Sequence, residues 1–297
     1  MKKITGGVFT PLYSPCDAND LFIEKEYELH AERCLAGPVD GVYVCGGTGD
    51  GMQMRTGERM AACEIAVAIA KKHNKTVLVQ IGANTLRDAV ELASHASSAG
   101  ADGISSVPLP GFGHKEQLEY YKAIISAAGI QTVLYYMPGP GREFSLEQVL
   151  EMISLPGVTG IKISANDFMF TQQIMASCRK DIVVFNGKDE YLAPAAAHGA
   201  HGGIGLWANV FPGAYSEIYR SSVTGDLKRA FELQRELNAC CCTAMRYGLL
   251  MSFEMILRYL GYWDRAFRRP NRRFDEELYN KFIAEAGSLV HSLTAIT

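Results

Sequence analysis

The chain has 297 residues, a net charge of −3, 48% hydrophobic residues and eight cysteines with no CxxC spacing. A chain of that length can bury about three quarters of its unfolded surface and would permit two domains, although an α/β barrel often uses as many residues as one, and the balanced charge gives no footprint for nucleic acid or an anionic membrane. No apolar run reaches membrane-spanning length, since Glu254 and Arg258 interrupt the best stretch, and scattered thiols fit a reducing cytosol, so a cytoplasmic location is expected.

Lys2 and Lys3 resemble the start of a signal peptide, but Gly6, Gly7, Pro11 and Pro15 break any apolar segment behind them. From there short β-like runs alternate with helical stretches. Strands are predicted at 7–12, 41–45, 76–81, 103–107, 132–136, 158–163, 182–185 and 202–206. Helical periodicity marks 56–72, 86–99, 115–128 and 146–154. Eight strands in a βαβα rhythm argue for a closed (β/α)8 barrel, with a doubly wound open sheet as the alternative. The even-numbered strands share small-residue punctuation, with Gly41, Gly103, Gly160 and Gly202 each expected at a tight turn from helix into strand. Past Pro212 the strand signals stop, and 213–223, 226–246, 248–260 and 275–293 all have helical patterns. The expected division is a catalytic barrel over 1–223 and a helical extension over 224–297. The basic run 268–273 is expected to be a solvated loop rather than an anion site. The adjacent cysteines 240–242 would face different directions on a helix and could not chelate one metal.

In such a barrel the chemistry belongs at the carboxyl ends of the strands. After strand two, the glycines of 46–51 can turn consecutive N–H groups toward an anion, with Thr48 adding a hydroxyl; the bland alternative is a flexible loop. Strand five ends in Tyr135 and Tyr136, of which alternation sends one into the barrel, where a phenol can relay protons or simply pack. Lys162 lies within the apolar run 160–164. A desolvated lysine suits Schiff-base chemistry on a carbonyl; a lysine reaching solvent from the strand end is the other reading. Strand seven is followed by Gly187, Lys188, Asp189 and Glu190. The two carboxylates can accept hydrogen bonds from sugar hydroxyls, or can favour the positive end of the next helix. Strand eight, with Ile204 and Leu206, offers a small apolar floor. His198 and His201 straddle a glycine turn and lack supporting ligands, so structural roles are expected and no metal is.

Taken in order, the Gly-Thr-Gly-acid loop (46–50), Tyr135 before its hydrophobic-Pro step, Gly-Ile-Lys at Lys162 and Gly-Gly-Ile-Gly (202–205) resemble the N-acetylneuraminate lyase and dihydrodipicolinate synthase family of class I pyruvate aldolases. The resemblance implies a (β/α)8 barrel with a C-terminal helical extension, assembled as a homotetramer. It implies a covalent lysine imine with no cofactor, acting on a 2-keto acid such as pyruvate plus an aldehyde. Lys162 would form the imine, Gly47 and Thr48 would hold the carboxylate, and Tyr135 would relay protons. Gly187, Asp189 and Glu190 match the pattern that binds a sugar's polyol tail, which favours an N-acetylneuraminate lyase-like enzyme. The alternatives are a dihydrodipicolinate synthase and a 2-keto-3-deoxy sugar acid aldolase or dehydratase. The first is disfavoured by Pro140 where its arginine would stand, with Arg142 displaced, and by Gly47 in place of a hydroxyl residue. Asp50 and the tyrosine-free loop 108–112 depart from the family's usual pattern, and Leu206 departs from that of the sialic acid lyases. A non-catalytic barrel that binds keto acids reversibly is a reading of a different class.

Overall fold

The computed structural model describes residues 2–268 and 274–297. Eight parallel strands close into a barrel in chain order: β1 (Gly7–Pro11), β2 (Gly41–Val44), β3 (Thr76–Gln80), β4 (Gly103–Ser106), β5 (Gln131–Tyr136), β6 (Val158–Ile163), β7 (Val183–Asn186) and β8 (Gly202–Gly203). Between them run α1 (Glu24–Ala36), α2 (Thr56–Lys72), α3 (Leu86–Ala99), α4 (His114–Ala128), α5 (Leu146–Ile153), α6 (Phe168–Ser177) and α7 (Leu192–Ala197). After the barrel come α8 (Pro212–Thr224), α9 (Leu227–Tyr247), α10 (Leu249–Tyr259) and α11 (Glu276–Thr294). The closed barrel with its helical extension is the architecture expected from the sequence, and the open-sheet alternative is excluded.

Local signals set the helix ends. Thr85 accepts the Asp88 N–H at 3.1 Å to start α3, and Ser145 and Gln148 form a reciprocal capping box at α5. Asp226 and Asp275 cap α9 and α11 in the same way as Thr85 caps α3.

The core has three parts. Phe9, Tyr43, Leu78, Val133, Tyr135, Phe185 and Ile204 pack inside the barrel. A larger shell joins the outward faces of the strands to α1–α6. A third cluster joins Val8, Trp207, Phe211 and Phe253 to α8–α11, so the extension shares apolar packing with the last turn of the barrel. The repeated glycines at 41, 103, 160 and 202 have a different cause from the one expected. None has a positive φ, so none is there for a turn. Instead, a Cβ would come 2.7 Å from Phe9 at Gly41, 2.7 Å from Ile4 at Gly103, 2.8 Å from the Val183 carbonyl at Gly160 and 2.1 Å from the Gly7 carbonyl at Gly202. They make room for the barrel's plug of large side chains and for close approach of neighbouring strands.

Two further expectations are corrected. β8 stops at Gly203, and residues 206–209 form a 3₁₀ turn instead of continuing the strand. The Asp189 carboxylate accepts the Leu206 and Trp207 N–H groups at 3.1 and 3.3 Å, which draws the chain out of the sheet. In the basic run, 269–273 lie outside the described residues, but Arg268 is buried. Its Nε donates to the Asp20 carbonyl at 3.0 Å, and its backbone N–H donates to Asp50 Oδ2 at 2.6 Å. Neutral carbonyls and a carboxylate therefore replace the solvent expected around it.

Candidate active site

The carboxyl ends of β2, β5, β6 and β7 bring the sequence-selected residues together. Lys162 pairs in register with Tyr135 of β5 on one side and Phe185 of β7 on the other. Only 5% of it is exposed, so its side chain does not extend into solvent. Its Nζ sits 4.2 Å from the centre of the Tyr135 ring and 4.5 Å from that of Tyr43, and the two rings stand at 90° to each other. Aromatic faces at this distance attract a cation and fix where the nitrogen can point.

Tyr135 faces the barrel interior, while Tyr136 packs in the shell between strands and helices. The Tyr135 hydroxyl donates to Met137 Sδ at 3.5 Å, a weak acceptor, and lies 3.3 Å from Ser164 Oγ. Ser164 in turn donates to the Gly187 carbonyl at 3.1 Å. Gly187 is tightly placed: an added Cβ would lie 2.0 Å from Ser164 Oγ and 3.0 Å from Lys162 Cε.

The loop after β2 folds back on itself, with Gly49 and Gly51 donating to the Gly46 carbonyl and Asp50 donating to that of Gly47. Cys45 and Asp50 both take positive φ, the strain that tightens it. The N–H groups of Gly47 and Thr48 donate to no acceptor among the described residues, and Gly47 is exposed with open space around it. Two such donors on adjacent residues can take a carboxylate.

On the β7 side the picture differs from the sequence expectation. Asp189 is partly buried, and both its oxygens already accept backbone N–H groups of the 206–209 turn. Burial first, and then the charge of Glu190, raise its carboxyl from the usual 3.8 to about 7, against the pull of those N–H groups and of Lys162. The Tyr215 phenol behind it is held well above its ordinary value, by burial and then by the Asp189 charge. Glu190 is the outward-facing member of the pair, about a quarter exposed and 3.9 Å from Lys188 Nζ. Ile204 is buried in the barrel plug and Leu206 is half-buried at the turn.

Outside this cluster, His201 accepts the Val184 N–H at 3.1 Å through Nδ1, and His198 stands edge-on to Phe168. Of the three adjacent cysteines, two are buried and Cys242 is exposed. Among the described residues no group of three or more His, Cys, Asp or Glu side chains gathers as a metal site. The loop after β4 is pinned by Gln117, which accepts the Leu109 N–H and donates to its carbonyl, and leaves Phe112 exposed.

Sequence reasoning missed Tyr43 and Ser164. Tyr43 had a signal, since alternation along β2 places it on the interior face with the barrel plug. Ser164, two residues past Lys162, had none, because its position depends on a loop.

Comparison with known proteins gives a consistent answer. The family model for the Dihydrodipicolinate synthetase family matches residues 4–287. An N-acetylneuraminate lyase of Citrobacter koseri is 30% identical over 99% of this chain and 98% of its own length. The protein CdNal of Clostridium difficile, solved with mannosamine, superposes with a TM-score of 0.87 at 26% identity, over 98% of this chain and 99% of that one. The N-acetylneuraminate lyase of Fusobacterium nucleatum, solved with pyruvate, gives 0.88 at 25% identity, over 96% and 97%. This chain belongs to the Dihydrodipicolinate synthetase family.

Proposed function

We propose that the chain joins or splits a 2-keto acid through an imine on Lys162, with pyruvate and an aldehyde as the partners in the reaction. The chain is a carbon–carbon lyase of the pyruvate-dependent aldolase kind, as its family and relatives are. The observation that carries the mechanism is the buried Lys162 amine beneath two tyrosine rings, with the Tyr135 phenol beside it. The Gly47 and Thr48 N–H groups bind the keto acid's carboxylate, which places its carbonyl carbon over Nζ. The nitrogen attacks, water leaves, and the protonated imine takes up the electron pair when the neighbouring C–C bond breaks. Tyr135 receives the aldehyde's hydroxyl proton in cleavage and returns one in condensation. No metal or cofactor enters this scheme. The catalytic unit is the barrel over 1–223, supported by the helices of 224–297, in a cytoplasmic homotetramer.

The substrate is a sugar-derived 2-keto acid. The relatives' name supports N-acetylneuraminate. A shorter 2-keto-3-deoxy sugar acid is the second reading. It is favoured because Asp189 spends both oxygens on the 206–209 turn, and Leu206 brings an apolar side chain to that turn. Glu190 then remains as the carboxylate for hydroxyl groups.

Borohydride trapping with pyruvate tests the mechanism. The expected result is a reduced pyruvyl adduct on Lys162, found by peptide mass spectrometry and absent from Lys162→Ala. A folded protein that binds pyruvate without an adduct would instead be a reversible keto-acid-binding barrel. Cleavage assays on N-acetylneuraminate and on 2-keto-3-deoxygluconate then decide the tail length.

A further inference from the structure

His30, on the buried face of α1, is an imidazole for which the imine chemistry has no use. Both of its ring nitrogens are engaged. Arg33 Nη2 lies 2.7 Å from Nδ1, and Asn209 Oδ1 lies 2.8 Å from Nε2. A guanidinium only donates, so Nδ1 accepts, and the ring's single proton sits on Nε2 and is donated to Asn209. Burial, and then the charge of Arg33, hold the imidazole well below its ordinary pKa, so the ring stays neutral. Tyr13 stacks against it with 3.9 Å between ring centres, and the Arg33 guanidinium is itself fixed 3.4 Å from the centre of the Tyr262 ring. The Asn209 amide nitrogen donates to the Pro11 carbonyl at 2.9 Å and to the Leu206 carbonyl at 2.8 Å. Leu206 is thus held at both of its peptide groups, by Asp189 through its N–H and by Asn209 through its carbonyl.

From this geometry we infer that His30 is a positioning residue for substrate choice: through Asn209 it fixes Leu206, and with it the outline of the side proposed to bind the tail. Asn209 is buried, and each of its polar atoms has one kind of partner. Its oxygen meets the His30 N–H, and its nitrogen meets two carbonyls. Half a turn of the amide would set nitrogen against that N–H and oxygen against the two carbonyls, so the His30 proton locks the amide in one orientation. Without that proton, Oδ1 is left buried with no donor, and an amide that turns to find one releases the Leu206 carbonyl. Tyr135 and Lys162 stand on β5 and β6, neither of which pairs with β1 or β8, so their register does not depend on this bond. His30 acts on the substrate only through Asn209 and Leu206.

The inference rests on the tail reading above, and the test separates the two. Wild type, His30→Leu and His30→Gln are assayed for cleavage of N-acetylneuraminate and of 2-keto-3-deoxygluconate. Methyl exchange of pyruvate in deuterated water is followed by NMR on the same proteins. Leucine fills the space of the imidazole without a donor, whereas a glutamine amide nitrogen falls near Nε2 and can still donate to Asn209. In His30→Leu the ratio of kcat/KM between the two sugar acids should move about fivefold toward parity, the scale of one lost neutral hydrogen bond, with pyruvate exchange unchanged. His30→Gln should keep the wild-type ratio. Circular dichroism checks that each variant folds. Should His30→Leu not fold, His30→Asn, which keeps an acceptor for Arg33 but stops short of Asn209, takes its place with the same readouts. A ratio within twofold of wild type in the variant that lacks the donor overturns the proposal. An equal loss on both sugar acids and on pyruvate exchange also overturns it, since His30 would then only support the barrel. So does a ratio in His30→Gln shifted as far as in His30→Leu. Wild type that cleaves both sugar acids with equal kcat/KM, or cleaves neither, overturns the tail reading and this proposal with it.

Discussion

Asp189 predicts a stability that falls as pH rises through neutrality. In the unfolded chain its carboxyl ionises near 3.8, while in the folded protein it holds its proton to about 7. Between those values the folded state binds the extra proton, so each step up in pH favours unfolding, by about 1.4 kcal/mol per pH unit. Over the whole window the loss is about 4 kcal/mol, a large share of a typical folding free energy. The amide that an Asp189→Asn substitution introduces does not titrate. It keeps one acceptor for the turn's N–H groups and loses the other, a pH-independent cost of about 1 kcal/mol. Urea unfolding of both proteins at pH 5, 6, 7 and 8, at one protein concentration, measures the difference. The variant should be the less stable at pH 5 and the more stable at pH 8, with the crossing between. The proton's preference comes from burial first and Glu190 second, so Glu190→Gln should move the wild-type fall to lower pH without abolishing it. Parallel curves for wild type and Asp189→Asn would show that the carboxyl ionises alike in both states, and the reasoning about its burial would be wrong.

Gly187→Ala should cut the trapping rate with pyruvate more than about tenfold, because the new methyl falls on Ser164 Oγ and against Lys162 Cε; an unchanged rate would mean that the loop shifts freely. Phe253, fully buried between Tyr13, Trp207 and Phe267, should cost about 3–5 kcal/mol on replacement by alanine. Urea unfolding of the variant beside wild type checks this, and a loss below about 1 kcal/mol would mean the extension does not depend on that cluster for its packing.

The barrel was legible because its strands are buried on both faces and so appear as short apolar runs between glycine and polar signals. α1 and α7 were harder to delimit. The first has only a weak apolar stripe, and the second is six residues long with Pro194 inside it. The placements legible in the sequence were those fixed by a strand: Tyr135 and Lys162 adjoin because β5 and β6 pair in register. What the sequence could not convey was the direction of side chains in loops. Asp189 and Glu190 are neighbours with the same chemistry, yet one accepts two N–H groups of the 206–209 turn and the other lies beside Lys188. That difference is set by contacts between segments 17 residues apart, from Asp189 to Leu206. The same holds for the basic run, where Arg268 is drawn inward by carbonyls of the segment 14–20.

This division bears on how substrate choice can diverge within such a barrel. The proposed imine centre lies on strands and is positioned by main-chain pairing that few substitutions can disturb. The side proposed to bind the tail lies on a loop and a 3₁₀ turn held by one carboxylate. A change at Leu206 or Glu190 therefore alters what the tail meets without moving Lys162. A change at Asp189 does something different: it releases the turn that carries Leu206, and with it the shape of the whole tail subsite. Substitutions at 190 and 206 should accordingly shift the ratio of rates between long and short sugar acids while pyruvate exchange stays constant. Equal effects on exchange and on tail discrimination would mean that the two halves of the site are mechanically coupled, and that strand pairing alone does not hold the imine centre in place.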